Sequence, residues 1–130
     1  MAGNIPGRRA SLYPQGIRGR GDLVRFGIMQ INQGGCLCSA IRFRISGEPT
    51  FSSICHCATC RRASAAPTVA WLTFERAQVE FLTGCPRVYR SSQGVVRQFC
   101  GTCGSQLSYE SAASPTTIDI TTASMDNPNL

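Results

Sequence analysis

The sequence predicts a mainly β fold, a small antiparallel domain of two or more sheets stapled by metal-binding knuckles. Short runs of β-branched and aromatic residues recur at intervals of about 8–12 residues, separated by Gly, Pro and Ser turns. No stretch carries the apolar periodicity of a long helix. Seven of the eight cysteines stand in three tight clusters: Cys36-x-Cys38, Cys55-x-Cys57-x-x-Cys60 and Cys100-x-x-Cys103.

In chain order, residues 1–29 are rich in Gly, Pro and Arg and lack periodicity, so they are expected to form a disordered extension. They carry Arg8, Arg9, Arg18, Arg20 and Arg25 against Asp22 alone, while the remaining 101 residues hold eight arginines and six acids. The formal charge of +6 is therefore concentrated in the extension. A basic segment of this kind reads as a solvated tail, and nucleic acid is not the expected partner. The folded domain is expected over residues 30–130, starting just before "GGCLC".

Within it, "AIRFRIS" alternates Ile41, Phe43 and Ile45 with Arg42 and Arg44, the pattern of a half-buried strand. Gly47 to Pro49 make a turn, and "FSSIC" is a short strand leading into the middle cluster. "CATCRRAS" suits one helical turn. "TVAWLTF" (68–74) reads as a strand with Trp71 and Phe74 in the core. "VEFL" (79–82), "RVYRS" (87–91), "VVRQFC" (95–100), "QLSYES" (106–111) and "TIDITT" (117–122) complete the set.

Cysteine at this density means a disulfide framework or bound metal. Short knuckles favour metal, because zinc ligands recur at such spacings. The first 30 residues hold no apolar run long enough for a secretory signal, and the chain has no run of 18 apolar residues. The reading is therefore a cytoplasmic protein, away from membranes, in which thiolates persist.

The seven clustered thiols divide most simply as four plus three. Cys36, Cys38, Cys100 and Cys103 would close a tetrahedral site joining the ends of the domain, which leaves no room for substrate and is structural. Cys55, Cys57 and Cys60 would converge on a second ion and leave its fourth position open, as catalytic zinc does. A rival division pairs Cys57 and Cys60 with Cys100 and Cys103 as a zinc ribbon. His56 sits between two ligands and is expected to point away from the ion. Cys85 has no partner at ligand spacing and reads as a free thiol. Roughly 100 ordered residues bury a thin core. Structural zinc, contributing on the order of 10 kcal/mol, suits such a domain.

The motifs "GGCLCSAIRF", "CHCATCRRASAAP" and "FCGTCGSQLSYES" together resemble the glutathione-dependent formaldehyde-activating enzyme family, which includes centromere protein V. The resemblance covers roughly residues 33–122, with all three motifs in order. It implies a β-tent of antiparallel sheets and two zinc ions. A structural ion falls on Cys36, Cys38, Cys100 and Cys103, and a second on Cys55, Cys57 and Cys60. The implied activity joins glutathione and formaldehyde into S-hydroxymethylglutathione, a carbon–sulfur lyase reaction in reverse. Two positions depart from the family pattern: glycine is usual where this chain has Ser39 and Ala65. The family also usually continues beyond the segment matching "ITTASMDNP", so the domain ending at Leu130 is expected to be shorter at its C-terminus.

Charge arithmetic on the open site favours thiol chemistry. A divalent ion among three thiolates carries one net negative charge, which makes it a poor Lewis acid for a carbonyl. It should still deprotonate an entering thiol, which then attacks an aldehyde. Nearby cations would help, and Arg61 and Arg62 follow the last ligand directly, available to offset charge or bind a substrate carboxylate. Ser64, Ser105 and Gln106 flank the knuckles and are expected to donate hydrogen bonds to thiolates or cap turns. The alternative function is a non-catalytic zinc module that binds protein or nucleic acid.

Overall fold

The computed structural model describes residues 30–128. The expected N-terminal extension, residues 1–29, lies outside the described residues. Among the described residues nine strands form two antiparallel sheets. One holds β1 (Ile31–Gly35), β2 (Arg42–Ser46) and β5 (Val79–Thr83) in the order β1-β2-β5. The other holds β3 (Phe51–Cys55), β4 (Val69–Glu75), β6 (Arg87–Ser92), β7 (Val95–Phe99), β8 (Gln106–Ser111) and β9 (Ser114–Thr121) in the order β3-β4-β9-β8-β7-β6. The single α-helix among the described residues, α1 (Ala58–Ser64), follows β3, and 3-10 turns stand at Arg76–Gln78 and Thr122–Ser124. No helix among the described residues is long and apolar enough to cross a membrane.

Alternation explains the small sheet. Phe43 and Ile45 on β2 are fully buried, while Arg42 and Arg44 turn outward. Arg44 stands opposite Glu80 of β5 and binds its carboxylate at 2.6 Å, a favourable cross-strand pair. Arg42 forks onto Asp126, beyond β9. An isolated bridge between Gly34 and Met125 and the Asp126 N–H to the Gln33 carbonyl tie the end of the described chain to β1.

The main core lies between the sheets. Phe43 and Ile45 meet Leu72 and Phe74 of β4, Leu107 of β8, and Ile118 and Ile120 of β9. Cys36 and Cys100 belong to this core, with relative exposures of 5% and 1%. β4 is buried on both faces. Leu72 and Phe74 face the main core, and Val69 and Trp71 form a second cluster with Cys60, against which Cys55 and Tyr109 pack.

On that second face one register row crosses the whole large sheet. Tyr89 of β6 stands opposite Arg97 of β7, Arg97 opposite Tyr109 of β8, and Tyr109 opposite Asp119 of β9. Asp119 in turn stands opposite Thr73 of β4. Paired residues share a face, so this row forms the floor beneath the middle cysteine cluster.

Candidate metal centres

The first centre joins two tight turns. The Cys36 to Ile41 turn links β1 to β2, closed by Cys36 N–H to the Ile41 carbonyl (3.1 Å) and Ser39 N–H to the Cys36 carbonyl (3.0 Å). Ser39 takes φ 62°, a left-handed conformation that glycine adopts most readily. The second turn links β7 to β8, where Gly104 at φ 76° lets its N–H reach the Cys100 carbonyl at 2.9 Å. Together they bring the sulfurs of Cys36, Cys38, Cys100 and Cys103 within 4.8 Å of one another. Cys36 Sγ lies 3.6 Å from Cys38 Sγ, and Cys38 Sγ lies 3.8 Å from Cys100 Sγ. A disulfide needs about 2.05 Å. Sulfurs bonded to zinc at about 2.3 Å stand about 3.8 Å apart across a tetrahedron. The separations therefore fit a shared ion and exclude a bridge between these pairs.

Hydrogen bonds favour the thiolate at Cys36 and Cys103, while crowding by the neighbouring thiols pushes Cys38 up to about 11. The Ile41 N–H donates to Cys36 Sγ at 3.2 Å. Ser105 Oγ accepts from the Leu37 N–H at 3.0 Å and lies 3.2 Å from Cys103 Sγ, so its own hydrogen is free to point at the sulfur. The Ser105 hydroxyl, its backbone N–H and the Cys38 N–H hold the Cys103 thiol down to about 5.

The second centre lies on one short segment. Cys55 ends β3, Cys57 is the N-cap of α1, and Cys60 lies in the first turn of that helix. The capping geometry folds the loop back, with Cys60 N–H donating to Cys57 Sγ at 3.3 Å. That N–H, followed by the neighbouring Cys55 and Cys60 thiols, lowers Cys57 to about 7. All three sulfurs lie within 4.8 Å of one another, and among the described residues no histidine, carboxylate or further cysteine completes the group. They open onto a cleft of about 360 Å³ lined also by Trp71, Ser91, Arg97, Tyr109 and Asp119. Three soft donors with room beside them fit a zinc ion and leave space for a fourth ligand. The ribbon alternative is not formed: Cys57 and Cys60 group with Cys55, apart from Cys100 and Cys103.

Among the flanking residues, His56 is exposed and stands outside the group of three sulfurs. Arg61 and Arg62 are exposed on α1, and Arg62 lines a neighbouring cavity of about 550 Å³ together with Tyr89, Arg97 and Gln106. Ser64 donates to the Cys60 carbonyl at 2.9 Å, a helix contact and not a thiolate contact. Trp71 and Phe74 are buried, and Cys85 is an exposed free thiol.

The cation nearest the second centre is Arg97, which sequence reasoning placed only as part of a strand. It is 6% exposed, its Nη2 donates to Cys60 Sγ at 3.5 Å, and its Nε donates to Ser91 Oγ at 3.2 Å. Its guanidinium carbon lies 5.1 Å from the centre of the Tyr109 ring. Burial pushes the Cys60 thiol up, and the guanidinium opposes that push. The available signal was period-2 alternation: Val95, Arg97 and Phe99 share one face, a charge in an otherwise apolar row.

The fold has relatives among solved structures. A crystal structure of a Rhodobacter sphaeroides protein superposes with a TM-score of 0.63 at 20% identity, covering 73% of this chain and 88% of that one. A search of curated proteins finds no match. The family model described as glutathione-dependent formaldehyde-activating enzyme matches residues 31–130, which span every strand and all seven clustered cysteines, and the chain belongs to that family.

Proposed function

We propose that the chain is a zinc-dependent carbon–sulfur lyase-type enzyme acting on thiol–aldehyde adducts. Its reaction would be the addition of glutathione to formaldehyde, giving S-hydroxymethylglutathione, and the reverse. One observation carries the reading: Cys55, Cys57 and Cys60 converge on a cleft with no fourth side-chain donor among the described residues.

Cys36, Cys38, Cys100 and Cys103 would hold one ion for the fold, and Cys55, Cys57 and Cys60 would hold the other for chemistry. Zinc bound there would supply the positive charge that releases the proton of an entering thiol. In the addition, a sulfur lone pair forms the carbon–sulfur bond and the carbonyl π pair moves to oxygen, which takes a proton from water. Trp71 and Tyr109 wall the cleft and limit water. Arg62 and Arg61, on the exposed side of α1, offer cations to the carboxylates of a peptide thiol. The reading places the protein in a reducing compartment such as the cytoplasm, where the seven thiols stay free to bind metal.

The test is zinc–sulfur coordination by X-ray absorption on protein carrying two zinc ions, before and after glutathione. The expected result is a rise in mean sulfur coordination of half a ligand per zinc, with accelerated adduct formation seen by NMR on adding formaldehyde. Unchanged coordination rejects thiol binding.

A further inference from the structure

Arg97 is charged, buried and, among the described residues, without a carboxylate partner. A guanidinium stays protonated in a protein, and an isolated charge inside a protein is costly unless it is paired. The ion pairs among the described residues are Arg42 with Asp126, Arg44 with Glu80 and Arg76 with Glu110, and none includes Arg97. Asp119 lines the same cleft, but the Thr73 hydroxyl donates to it at 2.6 Å and Tyr109 stands between it and Arg97 in the register row. What Arg97 does touch is Cys60 Sγ, the Ser91 hydroxyl and the Tyr109 ring. Its Nη1 is buried with no hydrogen-bond partner among the described residues. Neutral thiols would leave this charge uncompensated. Three thiolates around a divalent ion carry one net negative charge, which matches it.

We propose that Arg97 is the fixed counter-charge of the three-cysteine centre and biases its open position toward an anionic ligand. The inference rests on the reading of Cys55, Cys57 and Cys60 as a metal centre with an open position. With Arg97 alongside, the loaded centre is neutral overall. An entering thiol that leaves its proton to solvent takes the assembly to one negative charge; without Arg97 the same step ends at two. A neutral donor gains nothing from the guanidinium. The Tyr109 ring, 5.1 Å from the guanidinium carbon, and the Ser91 hydroxyl, 3.2 Å from Nε, keep the cation in place.

The experiment uses the full chain, Arg97→Gln and Arg97→Lys. Zinc-buffered solutions and native mass spectrometry give the affinity for the second metal. Cobalt-loaded protein, titrated with 2-mercaptoethanol and with imidazole, gives affinity for an anionic and a neutral fourth ligand from its absorption bands. In Arg97→Gln we expect the second-metal affinity to fall at least about tenfold, and thiol affinity to fall about tenfold further than imidazole affinity. Arg97→Lys keeps the charge and is expected to recover most of both. An Arg97→Gln protein that holds the second metal as tightly as the parent overturns the proposal. So does equal loss in the two variants, or equal loss of the two probes, since shape and not charge would then be at issue. A parent protein that takes up one metal only overturns the functional reading itself, a different result from two metals with an indifferent Arg97.

Discussion

Ala65 closes α1 in the left-handed region, at φ 52°, with its N–H on the Arg61 carbonyl. That conformation costs a residue with a Cβ about 1–2 kcal/mol, and glycine escapes the cost. Part of the gain is lost because glycine is freer in the unfolded chain, by about 0.4–1 kcal/mol. Ala65→Gly is therefore expected to stabilise the metal-loaded protein by about 0.5–1 kcal/mol, seen as a higher denaturant midpoint at unchanged slope. A midpoint that falls would show that the Ala65 methyl makes contacts worth more than the strain. The residue scale also shows what a sequence reading reaches. The glycine-deficient positions Ser39 and Ala65 were legible against the family pattern, and both prove to be left-handed. Arg97 was not, because a strand that alternates Val95, Arg97 and Phe99 announces a buried charge without saying what neutralises it. The answer lies in Cys60, 37 positions away.

At the scale of elements, the β7–β8 hairpin serves both centres. Its β7 strand carries Arg97 to the middle cluster, and its turn carries Cys100 and Cys103 to the other. Alternation and turn residues made this hairpin legible, as they did β2, β3 and β4. β1 was missed as a strand. "INQGG" has one large apolar residue and two glycines, the composition of a loop. Its glycine answers to packing: a Cβ at Gly34 would sit 2.4 Å from the Phe43 ring and from the Ser124 carbonyl oxygen. Ser105, just past the hairpin turn, links the two knuckles by accepting from Leu37 and facing Cys103. The Cys103 thiol, held down to about 5, contributes stability that is full above the ordinary thiol range and is lost as pH falls through about 5. Ser105→Ala removes the largest cause of that depression, so protonation begins at higher pH. The variant is expected to release one zinc per chain at a higher pH than the parent in a stepwise acid titration, read with a colorimetric chelator. Coincident release curves would show that the hydroxyl does not hold the thiolate.

Across the whole molecule the two centres differ in what surrounds them, and that difference predicts unequal losses of stability when a sulfur is removed. Cys36 and Cys100 are buried in the main core, where they close the gap between turns more than 60 residues apart in sequence. A metal held by both turns is linked to folding, and structural zinc contributes on the order of 10 kcal/mol in small domains. Total stability is typically about 5–15 kcal/mol, so losing one of these ligands removes a large share of it. Cys57 is exposed, and its two companions lie within three residues of it on one segment. An ion held there constrains a short loop only. Cys100→Ser is accordingly expected to give a chain without a cooperative thermal transition at 25 °C. Cys57→Ser is expected to melt within about 5 °C of the parent while carrying one zinc instead of two. Calorimetry paired with metal counting decides it. If Cys57→Ser unfolds as readily as Cys100→Ser, both clusters are staples and the separation of fold from chemistry fails. If Cys100→Ser folds normally, the sheets hold without the first ion, and the thin core between them is stronger than its size suggests.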